Sequence, residues 1–355
     1  MLKKIVILLL FSVILVGCSS KAKYQELIFS SWGSVTEVKI LKKIILDFEK
    51  ENPNVKIKFI HIPQNYFQKL HLLFASNAAP DVIFINNLYL PLYASYLKDL
   101  SSSIDKKAYY PQSLDALSYN GKILAVPRDV SNLVLYVNLD IVHKPPKTLD
   151  ELLEISLDLK KQNKFGISFE EDIYWALPYL LYYGENFDEK FDVNLSKGFL
   201  FYKNLRDKYN VAPTRSQVGS STLAQMFLDE KIAMYLSGRW MYPKIKGNAG
   251  FNWAVVPFPF GISQQACDAS GWAISKTSQK KELALKFIKY LSSEKSIKYF
   301  TETGLIVPAN KIISTELNQK AHNEFVFIEV LESTKSYPVS KKYKNLVDKF
   351  NKKNF

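Results

Sequence analysis

The chain is short of the residues that carry most enzyme chemistry. Its four histidines, His61, His71, His143 and His322, form no HExxH or other metal-ligating spacing. Neither a Gly-x-Ser-x-Gly elbow nor a Walker-type glycine-rich loop occurs. Adjacent acids such as Glu170-Glu171 are present, but paired carboxylates mean catalysis only in a geometry that sequence does not supply. No enzyme, metal or cofactor is therefore expected. Arginine is also scarce. The four, Arg128, Arg206, Arg215 and Arg239, form no cluster with aromatics, and the net charge of +13 is lysine spread over amphipathic helices. That pattern excludes nucleic acid as a partner. Long apolar runs are missing too: Ile5–Val16 has twelve residues without a charge, against the roughly 20 a membrane-crossing helix needs.

What that short run does fit is a secretory signal. Lys3 and Lys4 precede it and Leu15-Val16-Gly17-Cys18 ends it, so Met1–Gly17 reads as a removable segment. Its end resembles the lipobox of bacterial lipoproteins. The resemblance implies that Cys18 is lipidated, that the chain is cut before it, and that residues 18–23 form a polar tether. Loss of Lys3 and Lys4 lowers the charge to +11. Only Cys267 then remains unmodified, so no internal disulfide is possible. Stability must come from burial alone, and a chain 47% hydrophobic with more than 330 mature residues has material for two cores.

From Tyr24 the pattern alternates. Tyr24–Phe29 reads as a strand, and Ser34-Val35-Thr36-Glu37 fits a capping box that opens a helix ended by Asn52-Pro53. Val55–Ile60, a helix through Tyr66, Leu70 and Phe74, and the buried strand Val82–Ile85 complete β-α-β-α-β, the signature of an open sheet flanked by helices. In mid-chain, Tyr119-Asn120-Gly121 is a hairpin-type turn. It leads into Ile123–Val126 and Leu133–Val137, joined by a polar Pro-Arg-Asp loop. Pro145-Pro146 then breaks regular structure, so this buried unit can carry the chain from one lobe to another. Thr148–Glu151 starts a further helix, Ile232–Leu236 and Trp253–Val256 are strands, and Thr315–Phe355 reads as helical.

Six segments in order resemble the extracellular solute-binding proteins of ABC importers, in the sugar-binding branch. They are ELIFSSWGSVTE with FEKENPNVKI, APDVIFINN, YNGKILAVPRDVSNLVLYVNLD, PPKTLDELLE, MFLDEKIAMYLSGRW, and SGWAISKTSQKKELALKFIKYLSSEKSIKYFTETGLIVPAN. Two departures stand out: Val137 where the family has Tyr before Asn138, and Glu230 where it has Gly. The resemblance implies an α/β fold of two lobes, a type II periplasmic-binding-protein fold with three hinge crossings. Lobe 1 is expected at 24–136 and 271–309, lobe 2 at 137–270 and 310–355. The implied function is a lipid-anchored, monomeric receptor on the outer face of the membrane or in the periplasm. It would deliver a sugar to the permease subunits of an ABC importer, itself served by a cytoplasmic ATPase.

Sugars need flat apolar faces for their C–H sides and planar polar groups for their hydroxyls. The resemblance points to Trp240 and Trp272 as stacking residues; Trp32 and Trp175 join them by position. Asp129, Asp81, Asn86, Asn87 and Arg239 are the hydrogen-bonding candidates. Asp268, just ahead of the second crossing, ranks behind these, and Glu37 is set aside because the helix cap already uses it. Two alternatives remain: the same fold binding a glycerol phosphate-type or other charged metabolite, and a surface lipoprotein for adhesion or sensing. Phosphate would call for more arginine than the chain has.

Overall fold

The computed structural model describes residues 24–258, 266–318, 325–329, 331 and 334–355. The signal, the tether and Cys18 lie outside the described residues, and so does the side chain of Cys267.

The β-α-β-α-β start forms as its pattern requires. Strand β1 (Gln25–Ser31) turns through Gly33, at φ +141°, into helix α1 (Val35–Glu51). Ser34 caps that helix by accepting from the Glu37 backbone N–H at 3.2 Å. Leu41, Ile44, Ile45 and Phe48 recur at helical spacing and are all buried. Strand β2 (Val55–His61), helix α2 (Tyr66–Ala75) and strand β3 (Val82–Asn86) follow, with β2 and β3 parallel to β1 on either side. A two-residue hairpin, β4 (Ser118–Tyr119) to β5 (Lys122–Ile123), closes over Asn120-Gly121, both at positive φ.

Two larger sheets are then built. Strand β6 (Val126–Ser131) belongs to the first and β7 (Val134–Asn138) to the second. Helix α3 (Leu149–Lys160), β8 (Phe165–Ile167), α4 (Ile173–Tyr182), α5 (Lys197–Asp207), β9 (Ile232–Ser237) and β10 (Trp253–Pro257) continue the second unit. Its sheet runs β10-β7-β9-β8. Alternate residues of β7 face opposite cores, Leu135 and Val137 one way, Val134 and Tyr136 the other. Strand β11 (Ala266–Ile274) returns to the large sheet, followed by α6 (Lys281–Leu291), β12 (Val307–Pro308), β13 (Lys335–Ser336) and α7 (Lys341–Asn354). The large sheet runs β12-β6-β11-β3-β1-β2, with β13 alongside β11.

Several details differ from the sequence reading. Pro127-Arg128-Asp129 is strand, not loop, because β6 is held between β11 and β12. The sheet changes at Asn132-Leu133, between β6 and β7, and β11 spans Ala266–Ile274 in the large sheet. The stretch Thr315–Phe355 is not helical throughout, because it contains β13. Helix Lys311–Asn318 stays against β12 and β13 pairs with β11; α7 buries Tyr343, Val347 and Phe350 in the second core. Glu230 occupies the turn with φ +58°, the backbone region where Gly would be unstrained.

Candidate functional site

A cavity of about 660 Å³ lies between the two sheets. Its first-lobe wall sits at the carboxyl ends of β1 and β3, where open sheets bind ligands. Trp32 follows β1, half-exposed, with its ring 5.6 Å from Phe84 and 6.3 Å from Phe67. Asn86 ends β3, and its Oδ1 accepts from the Tyr89 N–H at 3.1 Å. Asn87 is buried, its backbone N–H bound to Ala269 and its Oδ1 without a partner among the described residues.

The polar heart of this wall comes from a β-bulge. On β11, Ser270 pairs with Asp129 but Gly271 pairs with Pro127, so Arg128 is the extra residue of β6. A bulge re-aims the side chains around it, and here both Arg128 and Asp129 line the cavity. Arg128 donates to Asp129 Oδ2 from Nε at 3.0 Å and from Nη2 at 2.6 Å, and from Nη1 to Glu37. Asp129 Oδ1 accepts from the Ser270 N–H at 3.2 Å and from its hydroxyl. The guanidinium also lies over Phe84 at 5.0 Å and over Trp272 and Phe300, each at 5.4 Å. Burial alone would lower the pKa of Arg128, but the charges of Asp129 and Glu37 outweigh it and raise it. Asp268 is the opposite case: burial, then the charge of Asp129, push its carboxyl up to about 7.

The facing wall is aromatic. Trp240 sits in the turn after β9, and Trp175 in the first turn of α4; their rings meet edge to face at 6.3 Å. Trp240 crosses its own backbone closely: a Cβ on Gly238 would stand 2.0 Å from the ring. Tyr174 meets Tyr337 at 5.5 Å, and Tyr337 stacks with Tyr343 at 6.5 Å. Asp172 caps α4 at the edge of the cavity, accepting from the Tyr174 N–H at 2.8 Å.

Six of the anticipated residues thus meet at one cavity: Trp32, Asn86, Asn87, Asp129, Trp175 and Trp240. Three do not. Asp81 is structural, its carboxylate accepting from the Ile28 N–H at 2.8 Å and the Ser278 hydroxyl at 2.6 Å. Arg239 is buried with its guanidinium over Phe327 at 5.2 Å and its Nε donating to Gly304 O at 3.1 Å. Trp272 is fully buried against Phe29 and Phe84, because its place on β11 falls in the middle of the large sheet between β6 and β3. Glu37 was missed because its spacing from Ser34 promised a reciprocal cap; its carboxylate goes to Arg128 instead. Tyr174, Tyr337 and Tyr343 carried no local signal, since they meet only when α4 and α7 pack. Among the described residues no group of His, Cys, Asp and Glu is arranged to hold a metal ion.

A cleft between two α/β lobes, aromatic on one side and hydrogen-bonding on the other, defines a binding protein for a small polar ligand. Residues 43–324 match the family of bacterial extracellular solute-binding proteins, and the chain belongs to it. It is 26% identical over 307 residues to the maltodextrin-binding protein MdxE of Bacillus subtilis, covering 76% of this chain and 70% of that one. To the multiple sugar-binding protein of Streptococcus mutans it is 25% identical over 337 residues, 83% and 79% of the two chains. The fold is that of the substrate-binding protein Lmo0181 from Listeria monocytogenes, solved with cycloalternan: TM-score 0.83, 25% identity, 93% and 92% covered. The family is one of solute-binding proteins, not enzymes.

Proposed function

We propose that this protein captures a carbohydrate between its lobes and delivers it to the permease of an ABC importer, held to the membrane by lipid on Cys18. The observation that carries the reading is the pairing of Trp32 on one lobe with Trp175 and Trp240 on the other, across a cavity whose polar groups include carboxylates and amides. Such rings cover the apolar faces of a sugar, while Asn86, Asn87, Asp129 and Glu37 meet its hydroxyls. The relatives named for maltodextrin and multiple sugars support it. A phosphate-bearing ligand fits poorly, because the guanidinium of Arg128 is already engaged by two carboxylates. The lobes are taken to divide where the sheets do, at Asn132-Leu133, between β10 and β11, and between β13 and α7.

Ligand favours the closed arrangement only through contacts that the open one lacks, and here those are the second-lobe aromatics. A thermal-shift screen over mono- and oligosaccharides tests the reading. A ligand at 100 times its dissociation constant stabilises by about 2.7 kcal/mol, and small-angle scattering with that ligand should show contraction. Silence across the sugars, or binding without contraction, refutes it.

A further inference from the structure

The polar wall of the cavity holds more negative charge than its one guanidinium balances. Glu37, Asp129 and Asp268 line it from the first lobe and Asp172 from the second, whereas Arg128 is the only Lys or Arg among the described lining residues. Arg128 is spent on Glu37 and Asp129, and Asp129 is further held by Ser270. Asp172 is occupied as a helix cap.

Asp268 is the exception. It stands opposite Ser131 on β6, with Ser270 two residues on opposite Asp129. Asp268 and Asp129 are therefore diagonal neighbours on one sheet face, within reach of each other's field. Its Oδ1 is sealed from solvent and has no hydrogen-bond partner among the described residues. On its other sides, β3 contributes the uncharged Asn86 and Asn87, α7 brings Tyr343, and β13 carries Lys335, whose backbone pairs at Ala266. The Asp268 carboxylate is held by the backbone N–H of Ala269, and a carboxylate so sparsely paired beside a second acid is relieved either by a proton or by a cation.

We propose that the saccharide taken by this cavity carries a protonated amino group, and that Asp268 is the residue that selects it. The proposal rests on the carbohydrate reading and narrows it. A neutral sugar offers hydroxyl donors to this wall but leaves its excess charge in place. An ammonium group supplies the missing charge and a charge-assisted hydrogen bond, which is about twice as strong as a neutral one. With its carboxyl pushed up to about 7, Asp268 holds its proton in much of the unliganded population near neutrality. The arriving ammonium favours the carboxylate, so binding releases that proton.

Calorimetry on the full chain at about pH 6.5 tests this with four trisaccharides: the glucosamine trimer, its N-acetylated form, cellotriose, and maltotriose as the α-linked control. The glucosamine trimer should bind at least tenfold tighter than the other three, a difference of about 1.4 kcal/mol. It should release protons, seen as a dependence of the heat on buffer ionisation, and cellotriose should not. Asp268→Asn, of nearly the same shape, should remove both the preference and the proton release. If cellotriose or maltotriose binds as tightly as the amine, the amino-sugar proposal falls and the carbohydrate reading stands. A preference that survives in Asp268→Asn removes Asp268 from the selection. Binding of none of the four overturns both.

Discussion

Arg128→Met is the perturbation that most directly tests how this cleft is held together. The guanidinium is buried, makes three hydrogen bonds to two carboxylates, and lies among the rings of Phe84, Trp272 and Phe300. Methionine keeps much of the volume and the aromatic contact but leaves Glu37 and Asp129 facing each other without a cation. Removing one partner of a buried pair costs about 3–5 kcal/mol, mostly because the remaining charge stays buried. Here two acids are stranded, although Asp129 keeps Ser270, so the upper half of that range is expected at pH 7. The assay is urea unfolding followed by far-UV circular dichroism. The triple replacement Arg128→Met, Glu37→Gln, Asp129→Asn should recover much of the loss, because no charge is then left unpaired. A deficit below about 1 kcal/mol, or a triple replacement that recovers none of it, would refute the idea that this triad is a buried and mutually dependent unit.

Four tryptophan and turn positions give further tests. Trp240→Ala should weaken saccharide binding at least tenfold and shift the melting temperature little, because the ring is over a third exposed; unchanged affinity on calorimetry would return it to a packing role. Trp272→Ala should do the reverse, costing about 3–5 kcal/mol of stability in denaturant titration while leaving the affinity of the folded fraction within a few-fold. Gly238→Ala, which drives a Cβ into the Trp240 ring, should reduce affinity nearly as much as Trp240→Ala does; wild-type binding would show that the ring need not lie where it does. Glu230→Gly relieves a non-glycine residue at φ +58° and should gain up to about 1 kcal/mol; a loss on thermal unfolding would show that its contact with Asn138 at 3.4 Å outweighs the strain.

Local rules settled much of this protein. Helical spacing over Leu41–Phe48, the Ser34 cap, the Asn120-Gly121 turn and the β-α-β-α-β succession are consequences of residues within a few positions of one another, and they formed as those residues dictate. Positions at strand ends were legible for the same reason: Trp32, Asn86 and Trp240 each follow a recognisable strand, and an open sheet brings such ends together. What sequence could not decide was which of two similar tryptophans faces the cleft. Trp240 and Trp272 both come shortly after a Ser-Gly pair, but Trp240 leaves its sheet at an end whereas Trp272 lies within β11 between two neighbouring strands, and only the register of those strands fixes that. The same holds for charge. Glu37 looked like a cap and Asp268 like a bystander, because an ion pair or the meeting of two acids depends on what arrives from ninety or more residues away, and that is set by long-range pairing, to which local spacing is blind.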